Sequence, residues 1–199
     1  MPSDPKDVLT SYLQGARDTL IWKLDGLSEH DQRLPRTPTG MNLLGIVKHA
    51  LHTEVTYFGP TFGRVWPTPG ELVPVDEPDR QADWYATAQE SSAGIVHLYR
   101  RVQRFADETI DALPLDGVGH VAHWGGVEVT LHQIMVHTTV DLQRHAGQAD
   151  IVREQIDGST GLLRHARNLP DDTNWPAYVS KLTALAERFR AADPRRSTR

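Results

Sequence analysis

The sequence predicts an all-α protein: a four-helix bundle with one additional C-terminal helix. Three observations carry this. Apolar residues recur at helical spacing in four long segments. No stretch keeps the alternation expected of a half-buried strand. The helical segments are joined by substantial connections, as in bundles with crossover loops.

The first helix is expected over 4–26, where Leu9, Leu13, Ala16, Leu20 and Leu24 share one face. Ser3 or Asp4 can cap it, and Pro5 suits its first turn. A short helical turn follows at 28–33, and Pro35 and Pro38 then break regular structure. The second long helix spans 41–59, with Leu44, Val47, Leu51, Val55 and Phe58 as its stripe. A Pro- and Gly-rich loop occupies 59–80, a length that points to function or mobility. The third helix is read over 82–112, with Ile95, Leu98, Tyr99, Val102, Phe105 and Ile110 facing the core. The irregular run LPLDGVGHVAHWGG leads to the fourth, 128–157, stopped by Gly158. A fifth helix at 174–192 carries Trp175, Val179, Leu182, Ala186 and Phe189, and the tail DPRRSTR is expected to be disordered.

Composition narrows the function. The 199 residues make one domain or two very small ones, large enough to fold without disulfide or metal staples. With no cysteine, disulfides, thiolate zinc sites and cysteine nucleophiles are excluded. A net charge of −5 argues against nucleic acid as a partner, and three arginines in the tail do not change that. No apolar run reaches the length of a membrane span, so no membrane partner is expected. The start, MPSDPKDVLTSY, has neither a basic nor an apolar signal region, which predicts a cytoplasmic protein. Ten histidines make metal ligation or proton transfer worth testing.

The fourth helix carries the chemistry. Its core stripe runs through Leu131, Met135, Thr138, Leu142, Ala149 and Val152. Asp141 lies about 80° and His145 about 40° from the centre of that stripe, with His137 farther round. A carboxylate near a buried face is costly unless something neutralises it, and a metal ion would. His137, Asp141 and His145 stand at i, i+4 and i+8. Neighbours four apart can grip one ion, whereas an i, i+8 pair is about 12 Å apart along the axis. Two pairs remain open, His137/Asp141 and Asp141/His145, and zinc needs at least one further ligand. The second helix offers His49 and His52, with Glu54 nearby. His49 lies almost opposite its helix's apolar stripe, on a second packed face or in water. A helix histidine is more often structural or solvated than a ligand, and an Asp/His pair one turn apart can simply support its helix.

The segments TPTGMNLLGIVKH and HAGQADIVRE, in this order on two helices, resemble the DinB-like superfamily, in the branch that includes mycothiol-dependent maleylpyruvate isomerase. The resemblance covers about 5–158 and divides the chain into a metal-binding bundle, 1–158, and an extension, 159–199. It implies a divalent ion held by a histidine of the second helix and by an i, i+4 pair of the last core helix. These map to His49, Asp141 and His145. Many relatives carry His or Glu where Asp141 stands, and the shorter Asp leaves zinc or nickel open as the metal. Gln148 and Arg144 lie beside the ligand face as partners for the ligand side chains. Gly147 would permit close approach of another helix. His123, Trp124 and Trp66 would line a pocket mouth or pack in the core.

The expected activity is that of a metal-dependent enzyme using a low-molecular-weight thiol such as mycothiol, of S-transferase or isomerase type, with an electrophile as second substrate. An open metal position would turn the substrate's thiol into a nucleophile, so the protein needs no cysteine of its own. His52, His137 and Tyr57 are the candidates for proton transfer. The alternatives are a non-catalytic metal-binding stress-response protein and a metal-dependent hydrolase, the latter less favoured without a general base like that of HExxH. A homodimer is left open.

Overall fold

The computed structural model describes residues 4–190. Ser3 and the tail expected to be disordered lie outside them. Residues up to Arg167 form one compact unit and those from Asn168 a second. In the first, α1 (Pro5–Trp22), α2 (Glu29–Arg33), α3 (Leu43–Phe58), α4 (Ser92–Ala112) and α5 (Leu131–Asp157) build a helical bundle. In the second, α6 (Trp175–Glu187) is capped by Asn174 and ends five residues before its expected limit of 192. The all-α, DinB-like four-helix class read from the sequence is the class observed.

The helix starts follow local chemistry. Asp4, Asn42, Ser91 and Thr130 each turn a side-chain oxygen to the backbone N–H two or three residues on, satisfying an orphan donor. Gly158 takes the left-handed conformation, φ +75°, that closes α5. Within the bundle α3 packs on both α4 and α5, and α1 lies along α5. Because α3 has two helical neighbours, most of its surface is buried, the side opposite its main stripe included. That answers the question of His49: it faces a packed surface, with its side chain 20% exposed.

Two departures from the sequence reading shape the site. The third helix does not begin at 82 but at Ser92. Residues 82–91 instead form an irregular strap, because side chains from α2 and α3 capture its carbonyls. Asn42 donates to Trp84 O at 3.3 Å, Lys48 to Tyr85 O at 3.0 Å, and Arg33 to Ala86 O at 3.1 Å and Thr87 O at 3.0 Å. Gly45 permits this: a Cβ there would stand 1.8 Å from the Trp84 carbonyl oxygen. The second departure is a small antiparallel hairpin, β1 (Val118–Val121) with β2 (Val127–Thr130), where no strand was expected. Its tip holds Ala122–Trp124, then Gly125 and Gly126 at positive φ. Residues 128–130, read as helix, therefore belong to β2, and α5 follows it without a linker.

One smaller expectation is corrected and one alternative is decided. Gly147 is exposed and nothing lies within 4 Å of where its Cβ would be, so no helix approaches it. Trp66 is buried, packed edge to face on Phe105 at 5.4 Å, rather than at a pocket mouth.

Candidate metal centre

Four segments converge on one cleft of about 430 Å³, bordered by His49, Tyr57, Asp83, His123 and Asp141. A larger groove of about 940 Å³ runs between α1 and α4, lined by Asp18, Arg100, Arg104 and Asp107 among others but by no histidine. Beside the smaller cleft, among the described residues, two imidazoles and a carboxylate bring donor atoms together.

His49 of α3 and Asp141 and His145 of α5 bring one donor atom each to within 4.8 Å of one another. Ligands at the usual 2.0–2.2 Å around a tetrahedral ion stand about 3.4 Å apart, so the cluster needs only a small closure to hold one. His145 Nε2 and Asp141 Oδ1 are already 3.6 Å apart. The other ring nitrogens are occupied from behind. His49 Nδ1 donates to Asp83 Oδ2 at 2.7 Å, and His145 Nδ1 donates to Gln148 Oε1 at 2.8 Å. In the neutral rings each arrangement places the proton on Nδ1 and leaves Nε2 as the acceptor, as metal-ligating histidines require; His49 Nε2 meets the Thr53 hydroxyl at 3.4 Å. Of the pairs left open by spacing, Asp141/His145 is the one that joins His49.

Aromatic packing sets the ring planes. Trp84 stacks on His49 with centroids 3.8 Å apart and planes at 16°, and meets His145 edge on at 5.1 Å. Asp83 and Trp84 were not legible as site residues. The signals that could have found them are a glycine inside the second helix and a long irregular segment able to cross it.

Charges follow the same geometry in the metal-free protein. Burial would raise the Asp83 carboxyl, but the His49 hydrogen bond and charge outweigh it and hold it below its ordinary value. Hydrogen bonding and charge from His145 in its protonated form hold Asp141 below its ordinary value. Burial opposes protonation of His145, yet Asp141 and Gln148 together raise it. Burial pushes His52 down to about 4, so its imidazole is neutral at pH 7 although it lines the cleft.

His137 stands away from the three donors. Its Nε2 is 3.1 Å from the Tyr57 hydroxyl, whose other side meets His123 Nε2 at 3.2 Å. Trp124 covers this group, 5.6 Å from the Tyr57 ring and 4.8 Å from that of His137. Arg144 is exposed and holds no site residue, whereas Gln148 does. Glu54, near His49 in sequence, turns to the opposite side of α3 and pairs with Arg17 at 2.6 Å.

A helical bundle whose second and last core helices present two imidazoles and a carboxylate to an open cleft is the DinB-like arrangement anticipated by the two sequence motifs. A family model described as mycothiol-S-transferase matches residues 8–158, ending at the glycine that closes α5. The chain belongs to this mycothiol-S-transferase family. The search of curated proteins finds no match. No helix among the described residues is long and apolar enough to cross a membrane.

Proposed function

We propose that the protein is a metal-dependent S-transferase that uses mycothiol, or a closely similar small thiol, against an electrophilic second substrate. One observation supports this most directly: two imidazole Nε2 lone pairs and a carboxylate oxygen face one another at the wall of an open cleft in a chain of this family. His49, Asp141 and His145 would hold a divalent ion, zinc in preference to nickel, since two imidazoles and one carboxylate make a familiar three-ligand zinc set. In such a set zinc supplies an open Lewis-acidic position that lowers the pKa of a coordinating thiol.

The chain's own residues do the remaining work. Asp83 and Gln148 orient the two imidazoles, and Trp84 stacks over one face of His49 and abuts His145 at an edge. His52 stays neutral beside the ion and adds no competing charge. Tyr57 and His123 border the cleft with polar atoms suited to moving a proton.

The test compares purified protein, His49→Ala and His145→Ala for metal content and for mycothiol-dependent conversion of a panel of electrophiles. Wild type is expected to carry about one zinc per chain and to transfer the thiol. Both variants should bind metal more than about 100-fold more weakly, a larger loss than removing an outer partner causes. Chelation should lower the melting temperature yet leave the helical circular dichroism intact, because the bundle core is apolar and complete without the ion. Full metal occupancy in both variants would overturn the ligand set, and a loaded protein inert to every thiol would overturn the transferase reading.

A further inference from the structure

We propose that Tyr57, His123 and His137 form a directional proton relay in which Tyr57 takes up the thiol proton in the cleft, His123 passes it to water and His137 holds the polarity. The inference rests on the transferase reading for the identity of the proton, but its hydrogen-bond logic stands on the three side chains alone.

The Tyr57 oxygen lies 3.2 Å from His123 Nε2 and 3.1 Å from His137 Nε2. A phenol has one proton to give, so it cannot donate to both rings. The two hydrogen bonds coexist when one imidazole donates to the phenol oxygen and the other accepts from it. The three side chains come from three separate elements, namely α3, the hairpin tip and α5. A tyrosine that needed only its own hydroxyl satisfied would require one partner; the second imidazole is surplus to packing.

Exposure and placement set the direction. His123 is exposed and lines the cleft, while His137 is half-buried and does not line it. A proton sent to His137 would reach the inner end of the chain of groups, whereas one sent to His123 is at the surface. His137 therefore donates from Nε2 to the Tyr57 oxygen, and Tyr57 donates to a bare Nε2 on His123. The remaining lone pair of the phenol oxygen is the one the Trp124 indole N–H also approaches, and the incoming thiol proton takes that place.

The step balances simply. The S–H bond of the thiol breaks and its electron pair stays on sulfur. The proton goes to the Tyr57 oxygen as the phenol proton moves to His123 Nε2, and His123 then releases a proton from Nδ1 to water. Tyrosine is never ionised, which agrees with burial and the nearby Asp141 holding its phenol above the ordinary value.

Two measurements test the relay on the zinc-loaded protein. Nitrogen-15 NMR of labelled histidines, recorded at about pH 8 where free imidazole is neutral, should show His137 protonated on Nε2 and His123 on Nδ1, and Tyr57→Phe should remove the difference. Two bare Nε2 atoms, two protonated ones, or the opposite polarity would overturn the proposal. In turnover, Tyr57→Phe and His123→Ala should lower kcat about 100-fold while leaving KM within about twofold. Free imidazole should restore activity to His123→Ala, which a purely structural role would not allow. Full kcat in Tyr57→Phe, with a thiol that wild type transfers, would refute the relay. Should wild type transfer no thiol, the transferase reading fails, and the tautomers still decide the relay.

Discussion

Two polar clusters sit on opposite sides of α3, and they differ in what their hydrogen bonds leave over. Toward α1 and α4, the fully buried Glu54 takes both Arg17 Nε, at 3.1 and 3.0 Å, and Arg17 Nη2, at 2.6 Å. It also accepts from the fully buried Tyr99 at 2.8 Å, while Arg17 Nη1 reaches Asp107 at 2.7 Å and Gln14 at 3.2 Å. Both Glu54 oxygens and all three Arg17 nitrogens find partners inside the molecule. Toward α5 and the strap, the rings of His49 and His145 are anchored from behind by Asp83 and Gln148, and one donor atom each of His49, Asp141 and His145 lies within 4.8 Å of the others. Closed satisfaction marks the first cluster as framework, since a buried charge is tolerated only when paired and bonded. The second instead gathers its donor atoms beside a cleft, which fits the cation site proposed above.

The comparison breaks most visibly at the framework. Arg17→Met leaves Glu54 buried without its partner and should destabilise the protein by about 3–5 kcal/mol in urea unfolding. Adding Glu54→Leu together with Tyr99→Phe should recover most of that loss, because matched apolar side chains replace an ion pair with little penalty once the buried Tyr99 donor is removed as well. A single substitution without effect on stability would remove the distinction drawn between the two clusters.

The site should respond in affinity rather than in folding. Asp83→Asn frees His49 to choose its tautomer and should weaken zinc about 10–100-fold in a chelator competition. Gly45→Ala should weaken it too, by lifting the Trp84 carbonyl and with it Asp83, and should also destabilise the fold by about 1–3 kcal/mol. Zinc bound equally well by both variants would show that the strap does not orient His49.

Acid sharpens the contrast further. In the metal-free protein His145 is raised and Asp141 lowered, so their mutual support is fully present between the ordinary carboxylate and imidazole values. It is lost as pH rises through the His145 value or falls through that of Asp141. Zinc needs His145 unprotonated, so its affinity should climb about tenfold per pH unit up to the raised His145 value and then level off. A flat profile in that range would remove His145 from the ligand set.

The smallest effect belongs to His52, held at about 4 in the folded protein against an ordinary 6.5. The unfolded chain takes up this proton first, so stability contributed by the neutral ring is present above about 6.5 and drains away toward pH 4. His52→Gln should flatten the acid limb of a melting-temperature series by about 1–2 kcal/mol, less than the full shift because the ring is partly exposed. Superimposable acid limbs would show that His52 is not held neutral by burial.

Periodicity made the helices legible because each long one buries a continuous stripe. Leu44, Val47, Leu51, Val55 and Phe58 are all buried, as are the six stripe residues of α5. The ligand trio came from matching two motifs to a family; spacing alone left two pairs open, and only the tertiary contact between α3 and α5 chooses His145 over His137. The strap was misread because its sequence tolerates helix, while the interactions that hold it extended come from Arg33, Asn42 and Lys48, remote in sequence. The hairpin escaped because four-residue strands are too short for alternation to register. Asp83 and Trp84 act on residues 34 or more positions away, and no local pattern encodes such a meeting.

The bare backbone of Gly45 against the Trp84 carbonyl works as a mechanical stop. The height of the strap over α3 is set by main chain meeting main chain, with no side chain between them. Neighbouring strap positions that face outward, such as Tyr85, can therefore be exchanged without moving the imidazoles below. The rim of the cleft can thus change along the strap while the spacing of the donor atoms beneath it stays constant.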